Sequence, residues 1–152
     1  MLGSTESLVS SERPRAWRYS YAAGPVRSRF LLELRDKQRI MGTRCPSCKR
    51  VYVPAKPNCI VCLSELNDWV EVGNKGTVLT YTVVTQPEPS HKLPAPFIYS
   101  IIQLDGADTS LTHFLGEVDE KDLKIGMRVE AVFQKVREGN ILDIKYFKPV
   151  SS

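Results

Sequence analysis

Four cysteines in two pairs, Cys45-Pro46-Ser47-Cys48 and Cys59-Ile60-Val61-Cys62, stand ten residues apart. Two thiolates two residues apart reach one ion from a single tight turn, and a second such turn completes a tetrahedron. The spacing therefore predicts a small ribbon closed by a structural zinc. Two disulfides, or buried thiols without a partner, are the alternatives. Disulfides suit a secreted chain, yet Met1 to Ser11 has no apolar run able to serve as a signal peptide, so a reducing, cytoplasmic compartment is expected. Iron in a rubredoxin-like site remains open, because tetrahedral thiolate sites accept either metal. Such sites usually place Gly after each pair, where this chain has Lys49 and Leu63.

A site closed by four cysteines leaves zinc no position for water, so metal-assisted hydrolysis is disfavoured. Only His91 and His113 are left as neutral-pH bases, and no G-x-S-x-G, H-E-x-x-H or phosphate-cradling glycine loop occurs. His91 sits in a proline-rich loop and reads as a solvated residue. His113 alternates with Leu111 and Leu115, which points it inward on a strand as a bonded barrel histidine. The isolated chain is expected to catalyse nothing.

The elements that must carry these residues follow from composition and period. The chain has 152 residues, 42% of them apolar, enough for a core. No segment approaches the roughly 20 apolar residues that span a bilayer. Residues 1–11 are Ser/Thr-rich and read as a disordered tail. A helical segment follows over 12–41. There the interleaved Trp17, Tyr19 and Tyr21 precede Gly24-Pro25, and Val26, Phe30, Leu31 and Leu34 recur at helical spacing up to Ile40. The ribbon is assigned to 42–70, with Val51-Tyr52-Val53 as a short hairpin arm. Beyond it, Thr77–Thr85, Phe97–Leu104, Leu111–Val118, Arg128–Val136 and Ile141–Phe147 are rich in β-branched and aromatic residues. Five strands in 71–150 predict a small closed barrel. Asp119–Ile125 reads as a short helix capped by Asp119, placed where an OB-fold has one, and Gly139-Asn140 turns the last hairpin. The fold class is mainly β, with a loop over Gln86–Pro96 long enough to suggest a role.

Charge divides the chain. Residues 1–70 hold 12 Lys or Arg against 6 Asp or Glu, whereas 71–152 hold 9 against 11. Arg44, Lys49, Arg50 and Lys56 either balance the thiolates around the metal or attract phosphates or an acidic protein.

On these residues the sequence resembles the family of zinc ribbon plus OB-fold proteins known as domain of unknown function 35. The likeness runs from about Pro25 to Pro149. It is carried by Arg29-Phe30-Leu31 and Leu34, by Gly42-Thr43-Arg44-Cys45, and by Val51-Tyr52-Val53-Pro54 with Pro57 before Cys59. Gly76-Thr77-Val78, Tyr81-Thr82-Val83-Val84 and Leu123 to Val129 extend it. Members usually have Gly after the first pair and a second Pro after Pro54; here Lys49 and Ala55 stand instead. The resemblance implies a helical N-terminal segment, a rubredoxin-like ribbon and a C-terminal OB-fold. It also implies a scaffold that holds CoA-linked acyl groups beside a thiolase, a hydroxymethylglutaryl-CoA synthase or a hot-dog-fold hydratase, and so a place in lipid metabolism.

On that reading Arg44, Lys49, Arg50 and Lys56 contact the phosphates of CoA or an acyl-CoA, while His91 and Phe97 border its pantetheine path. The alternative is a single-stranded nucleic-acid module using Tyr81, Phe97, Tyr99 and Phe114. Against it, the barrel half carries a net charge of −2, from 9 cations and 11 anions, and so is poorly built to release counterions. A third reading is an adaptor that binds no small molecule and docks a partner through Trp17, Tyr19, Tyr21 and the helix.

Overall fold

A computed structural model describes residues 20–150. The expected tail and the residues Trp17 and Tyr19 lie outside the described residues. Helix α1 spans Gly24–Lys37, with Pro25 in its first turn, where a missing N–H removes nothing. Phe30 and Leu34 are its buried residues. It ends three residues short of Ile40, because Gln38 turns left-handed at φ 52°. The Gln38 N–H then donates to Leu34 O, and that of Arg39 to Glu33 O, each at 3.2 Å. Ile40 instead opens a strand and is buried.

Strands β1 (Ile40–Arg44), β2 (Val51–Tyr52) and β3 (Asp68–Val72) form an antiparallel sheet in the order β2-β1-β3. The third begins at Asp68, where the sequence changes to the period of strands, although no separate strand is expected before Thr77. Gly42 is needed at the centre: a Cβ there would stand 2.9 Å from Tyr52 O and 3.0 Å from the Val51 and Val53 side chains.

The barrel is closed in the order β4-β5-β6-β8-β7. Its strands are β4 (Lys75–Val84), β5 (Phe97–Leu104), β6 (Ser110–Leu115), β7 (Arg128–Phe133) and β8 (Ile144–Pro149). The β6–β8 pair is parallel and the rest antiparallel. This five-stranded Greek-key closure is an OB-fold.

Two expected elements differ. Asp119–Ile125 contains only a 3-10 turn over Glu120–Asp122, and Asp119 makes no side-chain cap. Leu123 leaves that turn extended, so that it and Met127 are both buried in the barrel core. The last strand starts at Ile144 instead of Ile141, because Asn140 and Asp143 form a reciprocal capping box that winds Ile141–Asp143 into another 3-10 turn. Buried Asp143 also accepts from the amides of Glu138 at 2.9 Å and Gly139 at 2.8 Å.

One apolar core joins all three parts. Phe30 and Leu34 of α1 and Ile40, Val51, Val53 and Val72 of the ribbon arm pack in the same cluster as Val78, Ile102, Val129 and Phe147 of the barrel. The free edge of β2 is covered as well. Val51 N–H donates to Asp108 Oδ2 at 2.8 Å and Val53 N–H to Thr109 Oγ1 at 2.8 Å, while the Thr109 hydroxyl donates back to Val53 O at 3.0 Å. The turn between β5 and β6 thus finishes the ribbon sheet with side chains, and the exposed edge is blunted. No helix among the described residues is long and apolar enough to cross a membrane.

Replacing Asp108 with alanine leaves the part-buried Val51 N–H without its acceptor. The expected loss is about 1–2 kcal/mol of unfolding free energy in urea, with metal content unchanged. An unaltered midpoint would remove Asp108 from the joint between ribbon and barrel.

Candidate metal centre and barrel groove

The first cysteine pair turns between β1 and β2, and the second between Asn58 and Glu65, which pair in an isolated antiparallel bridge. In the first, Lys49 N–H donates to Cys45 O at 3.0 Å and Cys45 N–H to Arg50 O at 2.9 Å; in the second, Leu63 N–H donates to Cys59 O at 3.0 Å and Cys59 N–H to Ser64 O at 2.9 Å. The two turns are built alike. Lys49 at φ 64° and Leu63 at φ 58° occupy the left-handed region that glycine favours. The unusual residues after each pair therefore change the side chain but not the turn.

The four sulfurs lie within 4.8 Å of one another. A tetrahedron of roughly 2.3 Å zinc–sulfur bonds has edges of about 3.8 Å, and Cys48 Sγ stands 3.7 Å from Cys59 Sγ. Cys45, Cys48, Cys59 and Cys62 fit a single tetrahedral ion, the first and third buried and the others exposed. An ion held by these four cysteines would supply a cross-link, and four protein ligands would leave it no open position.

The second layer is specific. The buried Tyr52 hydroxyl accepts from Ile60 N–H at 3.3 Å and stands 3.2 Å from Cys59 Sγ, where it donates. The amides of Val61 and Cys62 add donors to the same sulfur at 3.4 and 3.3 Å. Led by the Tyr52 hydroxyl, these donors pull the Cys59 thiol down to about 6. Cys62 is pushed up to about 12, first by its hydrogen bond with the Cys48 thiol. Four thiolates within 4.8 Å of one another repel, and a cation among them would offset that repulsion. The sequence alone places Tyr52 only in the hairpin arm. Its place seven residues before Cys59, on a strand of alternating faces, was the signal for its role.

The basic residues expected beside the ribbon are all exposed. Arg44 faces Asp68 at 3.8 Å, and Lys49 Nζ donates to Pro46 O at 2.7 Å. Arg50, Lys49 and Lys56 have no ion-pair partner among the described residues. Lys56 lines a groove of about 440 Å³ between ribbon and barrel, with Gln103 and Ser110. His91 and Phe97 are elsewhere. They line a separate groove of about 320 Å³ with Thr82, Lys92, Tyr99 and Phe114. Gln103 and Phe97 are six residues apart on β5, roughly 20 Å at about 3.3 Å per residue. Of the expected cofactor-binding set, Lys56 and the His91–Phe97 pair therefore stand at opposite ends of the β5–β6 hairpin, while Arg44, Lys49 and Arg50 line neither groove.

His91 also departs from expectation. It is half-buried against Phe97, ring centroids 5.1 Å apart and edge-on, and its buried Nδ1 has no hydrogen-bond partner. Phe114 is buried against Phe97 and Tyr99, with centroids at 5.6 and 5.0 Å. Tyr99 is 40% exposed, so the barrel aromatics are not all core. His113 is buried, its Nε2 3.2 Å from Ile141 O and its Nδ1 accepting from Phe114 N–H at 2.9 Å. Both ring nitrogens are engaged, and burial pulls its pKa below the usual histidine range.

Two outcomes are expected. Tyr52→Phe removes one donor from Cys59 and lowers metal affinity about tenfold in competition with a chromophoric chelator; equal affinity would deny the hydroxyl that role. For His113, the folded pKa lies below the unfolded one, so its stabilisation is complete above about pH 6.5 and is lost as the pH falls from there to the lower folded pKa. Urea midpoints should drop between pH 7 and 5, and His113→Asn, which cannot charge but keeps an acceptor for Phe114 N–H, should flatten that drop. An identical slope in the variant would assign the loss to other groups.

With that geometry in view, likeness to known proteins places the chain. Residues 32–68 match the ChsH2 rubredoxin-like zinc ribbon domain and residues 69–134 the ChsH2 C-terminal OB-fold domain. A DUF35 domain-containing scaffold protein of Pyrococcus furiosus is 31% identical over 127 residues, 81% of this chain and 92% of that one. Its counterpart in Methanocaldococcus jannaschii is 29% identical, covering 78% and 87%. Among solved structures, a chain of the Ltp2-ChsH2(DUF35) aldolase is 26% identical with a TM-score of 0.59, covering 80% of this chain and 93% of that one. A DUF35-family protein of unknown function from Sulfolobus solfataricus, 24% identical with a TM-score of 0.60 over 72% of this chain and 78% of that one, shares the fold. The chain belongs to the family of DUF35 domain-containing scaffold proteins, a ChsH2-type zinc ribbon joined to an OB-fold.

Proposed function

We propose that this protein is a non-catalytic accessory subunit that binds a thiolase-like acyl-CoA enzyme in the cytoplasm and helps to hold its acyl-CoA at the boundary between them. The observation that carries the reading is the family. Relatives matched over nearly their whole length are scaffold proteins, and a solved relative is the ChsH2(DUF35) chain of an aldolase with Ltp2. The residues agree with it. The cysteines are committed to one metal, His113 is buried with both nitrogens engaged, and the buried Nδ1 of His91 makes no hydrogen bond to Ser90, Lys92 or Tyr99, which share its groove.

CoA needs cations for its phosphates and an apolar path for pantetheine. Arg50 and Lys56 are exposed cations without an ion-pair partner, so they suit the phosphates. Because the His91–Phe97 groove lies at the other end of the hairpin, one CoA contacting both would run along the β5–β6 face. An extended CoA is long enough for that, whereas a compact ligand is not.

CoA titrated by calorimetry into the zinc-loaded complex isolated from native extract, its enzyme identified by mass spectrometry, tests this. Arg50→Ala with Lys56→Ala should weaken binding about tenfold or more, the loss of two charge-assisted contacts. Equal affinities would remove both residues from the site. An acyl-CoA turned over by the partner-free chain would overturn the non-catalytic reading.

A further inference from the structure

Leu63 is the one apolar side chain among the described non-glycine residues with positive φ; the others are Gln38, Lys49 and Glu117. Glycine would relieve its backbone, and a bulky residue there is disfavoured. Leu63 is also 79% exposed, so burial within this chain gives nothing in return. Ile60 and Val61 in the same turn are 62% and 61% exposed. Three large apolar side chains thus crown the second knuckle, and neither local conformation nor folding accounts for them.

The first knuckle sits directly beside it. Ser47 Oγ and Ser64 Oγ are 3.2 Å apart, and the exposed Pro46 extends the apolar surface. Lys49, whose Nζ donates to Pro46 O at 2.7 Å, and Arg50 next to it in the chain are both exposed, and neither has an ion-pair partner among the described residues. We propose that the paired knuckle tips, Pro46, Ile60, Val61 and Leu63 with Lys49 and Arg50 at their rim, are the surface that docks on the partner enzyme. The enzyme would present an apolar pocket bordered by carboxylates. This rests on the accessory-subunit reading above.

The charge at the rim selects the occupant. A second copy of this chain, meeting itself across a twofold axis, would set the same cations facing each other. Carboxylates on an enzyme remove that repulsion and fix the orientation of docking, while the buried apolar side chains supply the affinity. Geometry favours the same use. The knuckle turns are held by the four sulfurs and by backbone hydrogen bonds, so they have little freedom to lose on docking.

Leu63→Gly is the decisive variant, because glycine suits φ 58° and leaves the knuckle at least as well folded. With zinc stoichiometry and thermal midpoint undiminished, its affinity for the enzyme recovered with wild type should fall at least tenfold by biolayer interferometry. Adding Val61→Ser should deepen the loss. Lys49→Glu should slow association and flatten its salt dependence. Val136, 82% exposed on the barrel, provides the control, and Val136→Ser should bind as wild type does. Leu63→Gly binding within twofold of wild type would overturn the docking surface and leave the accessory reading intact. Self-association of the wild-type chain that Leu63→Gly abolishes would assign the patch to a second copy instead. If the zinc-loaded wild type retains no enzyme at all, both proposals fall.

Discussion

Thiolate–metal bonding at Cys45, Cys48, Cys59 and Cys62 supplies what the ribbon's apolar residues cannot. Its private cluster of buried side chains is Cys45, Tyr52, Cys59 and Leu66, two of which are themselves ligands. Four side chains do not offset the conformational entropy of ordering the 18 residues from Cys45 to Cys62 at about 1–2 kcal/mol each. A structural zinc contributes on the order of 10 kcal/mol or more to folding, a large part of what the ribbon needs. The Tyr52 hydroxyl, the knuckle amides and the left-handed residues after each pair all serve to aim sulfur lone pairs at one point.

From that point, order passes to the rest of the molecule through β1 and β2. Val51 and Val53 face the barrel core while Tyr52, between them, faces the metal cluster. One short arm thus has a different task on each face, as strand alternation requires. Asp108 and Thr109 pair with the backbone of the arm from the barrel side, and the buried Thr43 hydroxyl donates to Lys56 O at 2.9 Å within the ribbon. Metal and barrel therefore hold the same strand from opposite faces, and the knuckle tips are presented at a fixed place relative to the barrel.

Much of this was legible in the sequence because the signals were local. The C-x-x-C spacing, the helical recurrence of Phe30 and Leu34, and the β-branched runs that became β4 and β5 each report on their own neighbourhood. What escaped was decided at a distance. Asp119–Ile125 has good helical composition, but Leu123 and Met127 both had to enter the barrel, and an extended connection achieves that. Ile141–Asp143 looks like a strand until the Asn140–Asp143 capping box is taken into account. The cofactor set was grouped by residue type, basic or aromatic, and the β5–β6 hairpin then separated Lys56 from His91 and Phe97 by most of its length. Tyr52 was hidden for the opposite reason, since one aromatic in a hairpin arm reads as packing until its hydroxyl is seen against a sulfur.

How the chain uses its polar and reactive groups bears on what kind of protein it is. An enzyme keeps a few such groups under-satisfied at a site where they can act. Here Asp143 has its oxygens engaged by loop amides, His113 has both nitrogens bonded, and the thiols converge on a single ion position. Among the described residues two features stand out as unspent: His91 with its groove, and the knuckle tips with Leu63 held in a conformation it disfavours. The His91 groove also holds Ser90, Lys92 and Tyr99, yet the buried Nδ1 is hydrogen-bonded to none of them and is left for a molecule that enters the groove. A strained, exposed leucine on a metal-braced turn is likewise useful only to something that comes from outside. Both features put the function at the surface shared with another molecule, and that is where an accessory subunit must keep it.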